Sequence, residues 1–213
     1  MQSDGTVFII DDDQGVCKAL CRLIQSVGLQ AKAFASAQEF LDAYQSADPG
    51  CLVLDVRMPG LSGLELQDLL AARNIHIPII FITGHGDVPM SVKAMKDGAL
   101  DFIQKPFSDQ VLLDAVQTAL AKDAAARRKN AERDAILQCF NCLTPREREV
   151  LRLVVAGRLN KQIAVELSAS EKTIKVHRGR VMKKMQAASL ADLVLRAEVI
   201  GIAQPGSASE AAT

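Results

Sequence analysis

The chain has 213 residues, 49% of them hydrophobic, with 25 basic and 25 acidic side chains, and its formal net charge is zero. That suffices for one large or two ordinary domains with ample core, and it excludes a disordered chain. The zero hides a division: residues 1–121 hold eight basic against fifteen acidic side chains (net −7), whereas residues 143–202 hold twelve against six (net +6). An acidic half joined to a basic half predicts two domains with different partners, and a basic balance is compatible with nucleic acid.

In chain order, Thr6-Val-Phe-Ile-Ile10 is a buried-strand run followed at once by Asp11-Asp12-Asp13. Residues 14–27 show helical spacing, with Val16, Leu20, Leu23, Ile24 and Val27 on one face and Gly28 as the terminating glycine. Leu29 to Phe34 is a second strand, and Ser36-x-x-Glu39 is a capping box opening a helix. Cys51-Leu-Val-Leu-Asp-Val-Arg-Met-Pro59 is a strand ending at Asp55, followed by a loop through Gly63 and a helix to about Arg73. Ile77 to Thr83 is the fourth strand, Gly84-His-Gly-Asp87 a turn, and Pro89 opens a helix that ends at Gly98. Leu100 to Gln104 is the fifth strand, Lys105-Pro106 a loop, and a last helix starts near Ser108. Strict alternation of strand and helix predicts a parallel sheet covered on both faces, of flavodoxin-like (βα)5 type with strand order 2-1-3-4-5.

In that order Asp11, Asp12 and Asp55 converge on the carboxyl edge of the sheet, where open α/β sheets carry their chemistry. Taken alone, Asp55 reads equally as a strand-ending cap. Three uncompensated carboxylates repel, and a hard divalent cation, Mg²⁺ or Mn²⁺, relieves this. Thr83 and Lys105 reach the same edge and bring a hydroxyl and a cation. Such a set suits a carboxylate nucleophile that forms an acyl phosphate. Asp13 reads as a helix-start residue, His85 as a loop residue, and Met90 and Met95 as packing.

Residues 120–141 contain no Gly or Pro and are strongly helical by propensity, so the last helix is expected to continue, in whole or part, into a connecting helix. A coiled-coil seam through Ala125, Ile136, Leu137 and Phe140 is a weaker alternative. Thr144-Pro145-Arg-Glu147 opens a helix ended by Gly157; Asn160, Ser170 and Ser189 are candidate caps for three more. Two helices joined by a tight turn, the second one basic, predict a helix-turn-helix within an all-α four-helix domain. With Ile174, Val181 and Met185 facing the core, Lys172, Thr173, Lys175, Val176 and Arg180 are the candidates for the major groove. Lys161, His177, Arg178 and Lys184 are candidates for phosphate or support. A basic helix in a protein-binding bundle is the other reading.

The five cysteines, odd in number and scattered, argue against a disulfide framework. Cys139-x-x-Cys142 lacks a second pair or nearby His, which weighs against a metal or redox role, and Cys17 and Cys21 read as small buried residues. The apolar runs are too short to span a bilayer, and Met1-Gln-Ser-Asp-Gly5 lacks the features of a secretory signal, so a cytoplasmic protein without a membrane partner is expected.

Four separated motifs, Phe8-Ile-Ile-Asp-Asp-Asp13, Leu54-Asp-Val-Arg-Met-Pro-Gly60, Phe81-Ile-Thr-Gly-His-Gly-Asp87 and Gly98-Ala-Leu-Asp-Phe-Ile-Gln-Lys-Pro-Phe107, resemble the receiver domain of two-component response regulators. The resemblance implies that Asp55 accepts a phosphoryl group from a sensor histidine kinase and that Asp11, Asp12 and Asp55 bind Mg²⁺ with the Arg57 carbonyl. It also implies that Thr83 and Phe102 move together as a switch, and that Lys105-Pro106 is the usual cis-proline position. Leu143-Thr-Pro-Arg-Glu-Arg-Glu-Val-Leu151, Asn160-Lys-Gln-Ile-Ala164 and Lys172-Thr-Ile-Lys-Val-His177 resemble the LuxR-type DNA-binding domain. Together they point to the NarL/FixJ family. Arg57, the run 84–90 and the run 157–161 favour the FixJ-like branch.

The expected organisation is a receiver at 1–120, a helical linker at 121–142, a DNA-binding domain at 143–202 and a disordered tail at 203–213. The expected function is a phosphorylation-dependent transcription regulator, an activator, that dimerises when phosphorylated. Its partners would be the kinase, promoter DNA and RNA polymerase. An aspartyl-phosphate phosphatase is the enzymic alternative, but Arg57 stands where an acid-base residue would be needed. A receiver-linked protein-binding module is a third reading.

Overall fold

A computed structural model describes residues 5–45, 48–84 and 88–202. The expected tail disorder, the signal-free start at 1–4 and the reading of His85 lie outside the described residues. The chain divides into two compact units, residues 1–127 and 128–213.

The first unit is a parallel sheet of β1 (Thr6–Ile10), β2 (Gln30–Phe34), β3 (Gly50–Asp55), β4 (Ile79–Thr83) and β5 (Asp101–Gln104), in the order β2-β1-β3-β4-β5. Between and after the strands run α1 (Gln14–Ser26), α2 (Ala37–Ala43), α3 (Gly63–Ala72), α4 (Val88–Lys96) and α5 (Asp109–Asn141). The continuous apolar runs of β1, β3 and β4 follow from burial on both faces. Val7, Ile9, Cys51, Val53, Ile80 and Ile82 face one core layer with Leu20 and Ile24 of α1 and Leu112 and Val116 of α5. Their neighbours Phe8, Ile10, Leu52, Leu54 and Phe81 face a second layer with Phe40, Leu66, Leu70 and Ala94. Strand alternation thus sorts a uniformly apolar sequence into two cores.

The helix ends follow their local chemistry. Asp13 caps α1 by accepting the amides of Gly15 (2.7 Å) and Val16 (3.4 Å). Gly28 and Gly157 take the left-handed conformation just beyond helices (φ 79° and 76°). Ser36 caps α2, but Glu39 reaches back to the Ala35 amide rather than to Ser36, so the predicted box closes one residue early. Met90 packs on the second core layer, whereas Met95 is 46% exposed and does not serve the packing role expected of it. Cys17 is buried and Cys21 only half-buried.

α5 runs unbroken for 33 residues, so the predicted continuation holds over its whole length. In the first unit Asp123, 4% exposed, accepts the Gly50 amide at 3.0 Å and the Arg127 Nε at 2.7 Å, and Arg127 Nη2 donates to the Asp48 carbonyl.

In the second unit the end of α5 supplies Ile136 to a core built by α6 (Pro145–Val155), α7 (Asn160–Glu166), α8 (Glu171–Lys184) and α9 (Leu190–Val199). Thr144 and Glu147 form a reciprocal capping box at α6, and Ser170 and Ser189 cap α8 and α9. Asn160 is not the cap of α7. It is the first helical residue, Leu159 precedes it, and the Leu159 amide is satisfied by Gln162 Oε1 at 2.9 Å. The Asn160 side chain is drawn instead to Arg178, whose Nη1 donates to its Oδ1 at 3.1 Å. Among the described residues no helix is long and apolar enough to cross a membrane.

Candidate functional site

β1 and β3 are neighbours, with Ile10 paired to Leu54, so Asp11 leaves the sheet beside Asp55. β4 ends at Thr83, which pairs with Gln104, and Lys105 follows; its amide donates to the Thr83 carbonyl at 2.7 Å. Four strand ends therefore deliver Asp11, Asp55, Thr83 and Lys105 to one edge. The Lys105–Pro106 peptide is cis.

Lys105 Nζ donates to Asp11 Oδ2 at 2.8 Å and to Asp55 Oδ1 at 3.0 Å. The remaining oxygens are held by backbone: Asp11 Oδ1 accepts the Asp13 amide at 2.9 Å, and Asp55 Oδ2 accepts the Arg57 amide at 2.8 Å. Both carboxylates are buried, at 2% and 7% exposure. Their lysine-bound oxygens lie less than about 6 Å apart. At an effective dielectric of ~20, like charges at that separation repel by at least roughly 3 kcal/mol, while each contact with the ammonium gains roughly 6 kcal/mol. The lysine therefore more than offsets the repulsion. Burial works to lower the Lys105 pKa, but its hydrogen bonds to Asp11 and Asp55 and their charges outweigh it, and the ammonium is held above its ordinary range.

Behind Asp55 the backbone is tightly backed. Gly63 opens α3 directly against the Asp55 carbonyl, and a Cβ there would stand 2.3 Å from that oxygen. The Gly63 amide donates to the Val56 carbonyl at 3.0 Å. Thr83 is buried, and Phe102 is half-buried with its ring 6.2 Å from that of Phe81. Because Phe81 pairs with Phe102 and Thr83 lies two residues on, Thr83 and Phe102 share one face of the sheet.

Asp12 is exposed and lines a surface hollow with Arg57, Met58 and Ser62. Among the described residues no three acidic, His or Cys side chains are grouped to hold an ion. The donor chemistry nevertheless fits a hard cation. Two buried carboxylates share one ammonium and keep a net negative charge, the donors are all oxygen, and Asp12 stands next in the chain.

In the second unit α7 and α8 are joined across a tight turn in which Ser168 has φ 48°. Lys172, Thr173, Lys175, Val176 and Arg180 are exposed, as is Lys161 at the start of α7. Ile174, Val181 and Met185 are buried, so Lys172, Val176 and Arg180 lie on the opposite face of α8. Lys183, also exposed, falls on that face three turns after Lys172. Sequence reasoning leaves Lys183 off the core face of the helix but gives it no DNA role.

The support candidates divide. Arg178 braces Asn160, and His177 is half-buried with Nδ1 shut from solvent and unpartnered. Lys184 Nζ pairs with Glu147 Oε2 at 2.7 Å and donates to the Cys142 carbonyl at 3.1 Å. The Lys184 ammonium is thus engaged within the unit, against α6 and the end of α5. The hydrogen bond from Lys184, together with the Thr144 amide, holds the Glu147 carboxyl below its ordinary pKa. Arg146 Nη2 donates to the Leu167 carbonyl, tying α6 to the turn.

A five-stranded parallel sheet with an Asp–Lys–Asp cluster at its carboxyl edge, followed by a helix-turn-helix unit, defines a receiver coupled to a DNA-binding domain, a transcription regulator. Family models agree: residues 7–117 match the response regulator receiver domain, and residues 141–197 match the bacterial regulatory proteins of the luxR family. The chain belongs to the response regulators of the NarL/FixJ family. Nodulation protein W of Bradyrhizobium diazoefficiens is 53% identical, over 92% of this chain and 86% of that protein. The transcriptional regulatory protein FixJ of Azorhizobium caulinodans is 46% identical, over 95% of this chain and 96% of that protein. The solved structure of the response regulator StyR superposes with a TM-score of 0.84 at 48% identity, covering 92% of this chain and 98% of that one.

Proposed function

We propose that Asp55 is the phosphoacceptor, that a sensor histidine kinase is the donor, and that the phosphorylated chain dimerises and activates transcription from promoter DNA. The observation that carries this reading is the position of Asp55: buried, last in a central strand, with Oδ1 on Lys105. An Asp55 oxygen attacks phosphorus and the donor group departs. The Lys105 ammonium and the Thr83 hydroxyl offset charge on the phosphoryl oxygens. Mg²⁺, held by Asp11, Asp12, Asp55 and the Arg57 carbonyl, would neutralise further phosphoryl charge. Thr83 and Phe102, on one face of β4 and β5, would move together as the switch.

The dimer surface in this reading is α4, β5 and α5. Val88, Val92 and Met95, exposed at 75%, 45% and 46% and spaced along one side of α4, support it. Dimerisation would present two α8 helices to repeated half-sites, with Lys172, Thr173, Lys175, Val176 and Arg180 in the groove, and RNA polymerase would be recruited there. Lys161, His177 and Arg178 would hold or support phosphate contacts. The domain limits proposed are 1–120, 121–142 and 143–202, and the compartment is the cytoplasm.

Intact mass with and without acetyl phosphate and Mg²⁺ tests the first step. A gain of about 80 Da in wild type, absent in Asp55→Asn, is expected. An equal gain in the variant would move the acceptor elsewhere.

A further inference from the structure

The first unit holds a cavity of about 420 Å³ that the phosphoacceptor reading does not use. It lies between one stripe of α1 and the end of β2. Cys17 and Cys21 from α1 with the Ala33 side chain and the Phe34 backbone of β2 form its wall, the Phe34 ring lying on the other face of the sheet against Phe8 and Phe40, and Lys18 and Arg22 stand along the same stripe. The space exists because β2 is an edge strand and carries small side chains where it passes α1. It is open to solvent along one side, and its volume lies at the lower end of small-molecule sites.

The chemistry of the lining selects the ligand. Cys17 is buried with its thiol on the Asp11 carbonyl, and Cys21 is half-buried. Among the described residues neither is grouped with other ligating side chains, so both present apolar sulfur rather than a metal site. Two carboxylates also line the cavity, and each is committed: Asp11 to Lys105 and the Asp13 amide, Glu39 to the Ala35 amide. Lys18 and Arg22 are exposed and form no ion pair among the described residues. They are two of only eight basic side chains in residues 1–121, yet both line this one cavity.

We propose that this cavity is a binding site for a small carboxylic acid with a flat apolar body, the body lying on Cys17, Cys21 and Ala33 and the carboxylate meeting Lys18 and Arg22. A neutral apolar molecule would leave both cations unmatched, and a small inorganic anion would leave the apolar wall uncovered. The wall also adjoins Asp11: the Cys17 thiol donates to the Asp11 carbonyl at 3.3 Å, while the Asp11 side chain holds Lys105. An occupant therefore touches the residue next to the edge cluster. The site stands on its own lining and does not depend on Asp55 being phosphorylated.

The test uses the full chain and 2-naphthoate as probe. The protein has no Trp and one Tyr, so naphthalene fluorescence is read against a dark background. Saturable binding is expected, with slower alkylation of Cys21 by iodoacetamide as the mark of its location. The neutral analogue 2-naphthamide and the Lys18→Gln/Arg22→Gln variant should each bind at least about tenfold more weakly, the loss of one charge-assisted anchor. Ala33→Phe, an exposed edge-strand substitution, should fill the cavity and remove binding. No saturation by millimolar probe, an amide that binds within tenfold of the acid, or unchanged Cys21 alkylation in the saturated wild-type protein would each overturn the proposal. The last two need no variant, so a misfolded mutant cannot rescue it.

Discussion

Asp123 and Gly50 are 73 residues apart in sequence, and the Asp123 carboxylate accepts the Gly50 amide at 3.0 Å. The contact fastens the continuation of α5 to the first residue of β3, at the opposite end of that strand from Asp55. Arg127 extends it by binding Asp123 and the Asp48 carbonyl.

Asp123→Ala leaves a buried amide without its acceptor, a cost of about 1–3 kcal/mol. The Gly50 amide should exchange with deuterium faster by the corresponding factor, while Asp134→Ala, at an exposed position of the same helix, should change nothing. Equal protection of Gly50 in both variants would sink the clamp.

Lys105→Met removes the charge shared by Asp11 and Asp55. Stripping a buried carboxylate pair of its cation costs about 3–5 kcal/mol, and chemical denaturation at pH 7 should read it. The sign of the pH dependence follows from the raised lysine pKa. The stabilisation is complete below its ordinary value of 10.5 and is lost as pH rises through the higher folded value. Wild type should lose stability over that alkaline window, and Lys105→Met should lack the component.

Mg²⁺ should raise the melting temperature of the wild-type first unit as its concentration rises, since a ligand that binds only the folded state stabilises by mass action. Asp11→Asn and Asp55→Asn should weaken the response. A response unchanged in both variants would remove these carboxylates from the cation site.

Glu147 runs the other way from Lys105. Its folded pKa is lowered by Lys184 and by the Thr144 amide. The stabilisation is therefore present above the ordinary value of 4.5 and lost as pH falls through the folded value. Glu147→Gln should destabilise the second unit at pH 7, and the gap to wild type should close in acid. A constant gap from pH 7 to 3 would refute the linkage.

On DNA, Lys161→Ala and Lys183→Ala should each reduce the slope of log affinity against log salt by about 1, as loss of one phosphate contact does. Val176→Ala should leave that slope unchanged and relax discrimination at one position, because an exposed apolar side chain on a basic face suits a thymine methyl. Lys184→Gln should lower stability through Glu147 without altering the slope.

The fold was legible because its signals are local or periodic. The apolar runs of β1, β3 and β4, the alternation with helical stretches and the caps at Asp13, Thr144 and Ser170 each occupy a few adjacent residues. Placement of Asp11, Asp55, Thr83 and Lys105 at one edge followed from strand order. What escaped notice depends on partners distant in sequence. Asp123 looked like one more polar residue of a solvated helix, and only the packing of α5 against β3 gives it an amide to hold. Lys184 looked like part of a basic face until α6 brought Glu147 beneath it. Asn160 had the composition of a cap, but Arg178, 18 residues on, competes for its oxygen.

Gly63 bears on what Asp55 can do when its charge changes. The strand is paired on both sides, and the helix behind it starts so close to the Asp55 carbonyl that a single methyl group does not fit. The Asp55 backbone therefore has a rigid backstop and no room for recoil. New charge on its side chain must be accommodated by the groups in front of it, the Lys105 ammonium and the open ends of the strands. That directs mechanical compliance outward to the surface, where another molecule can sense it.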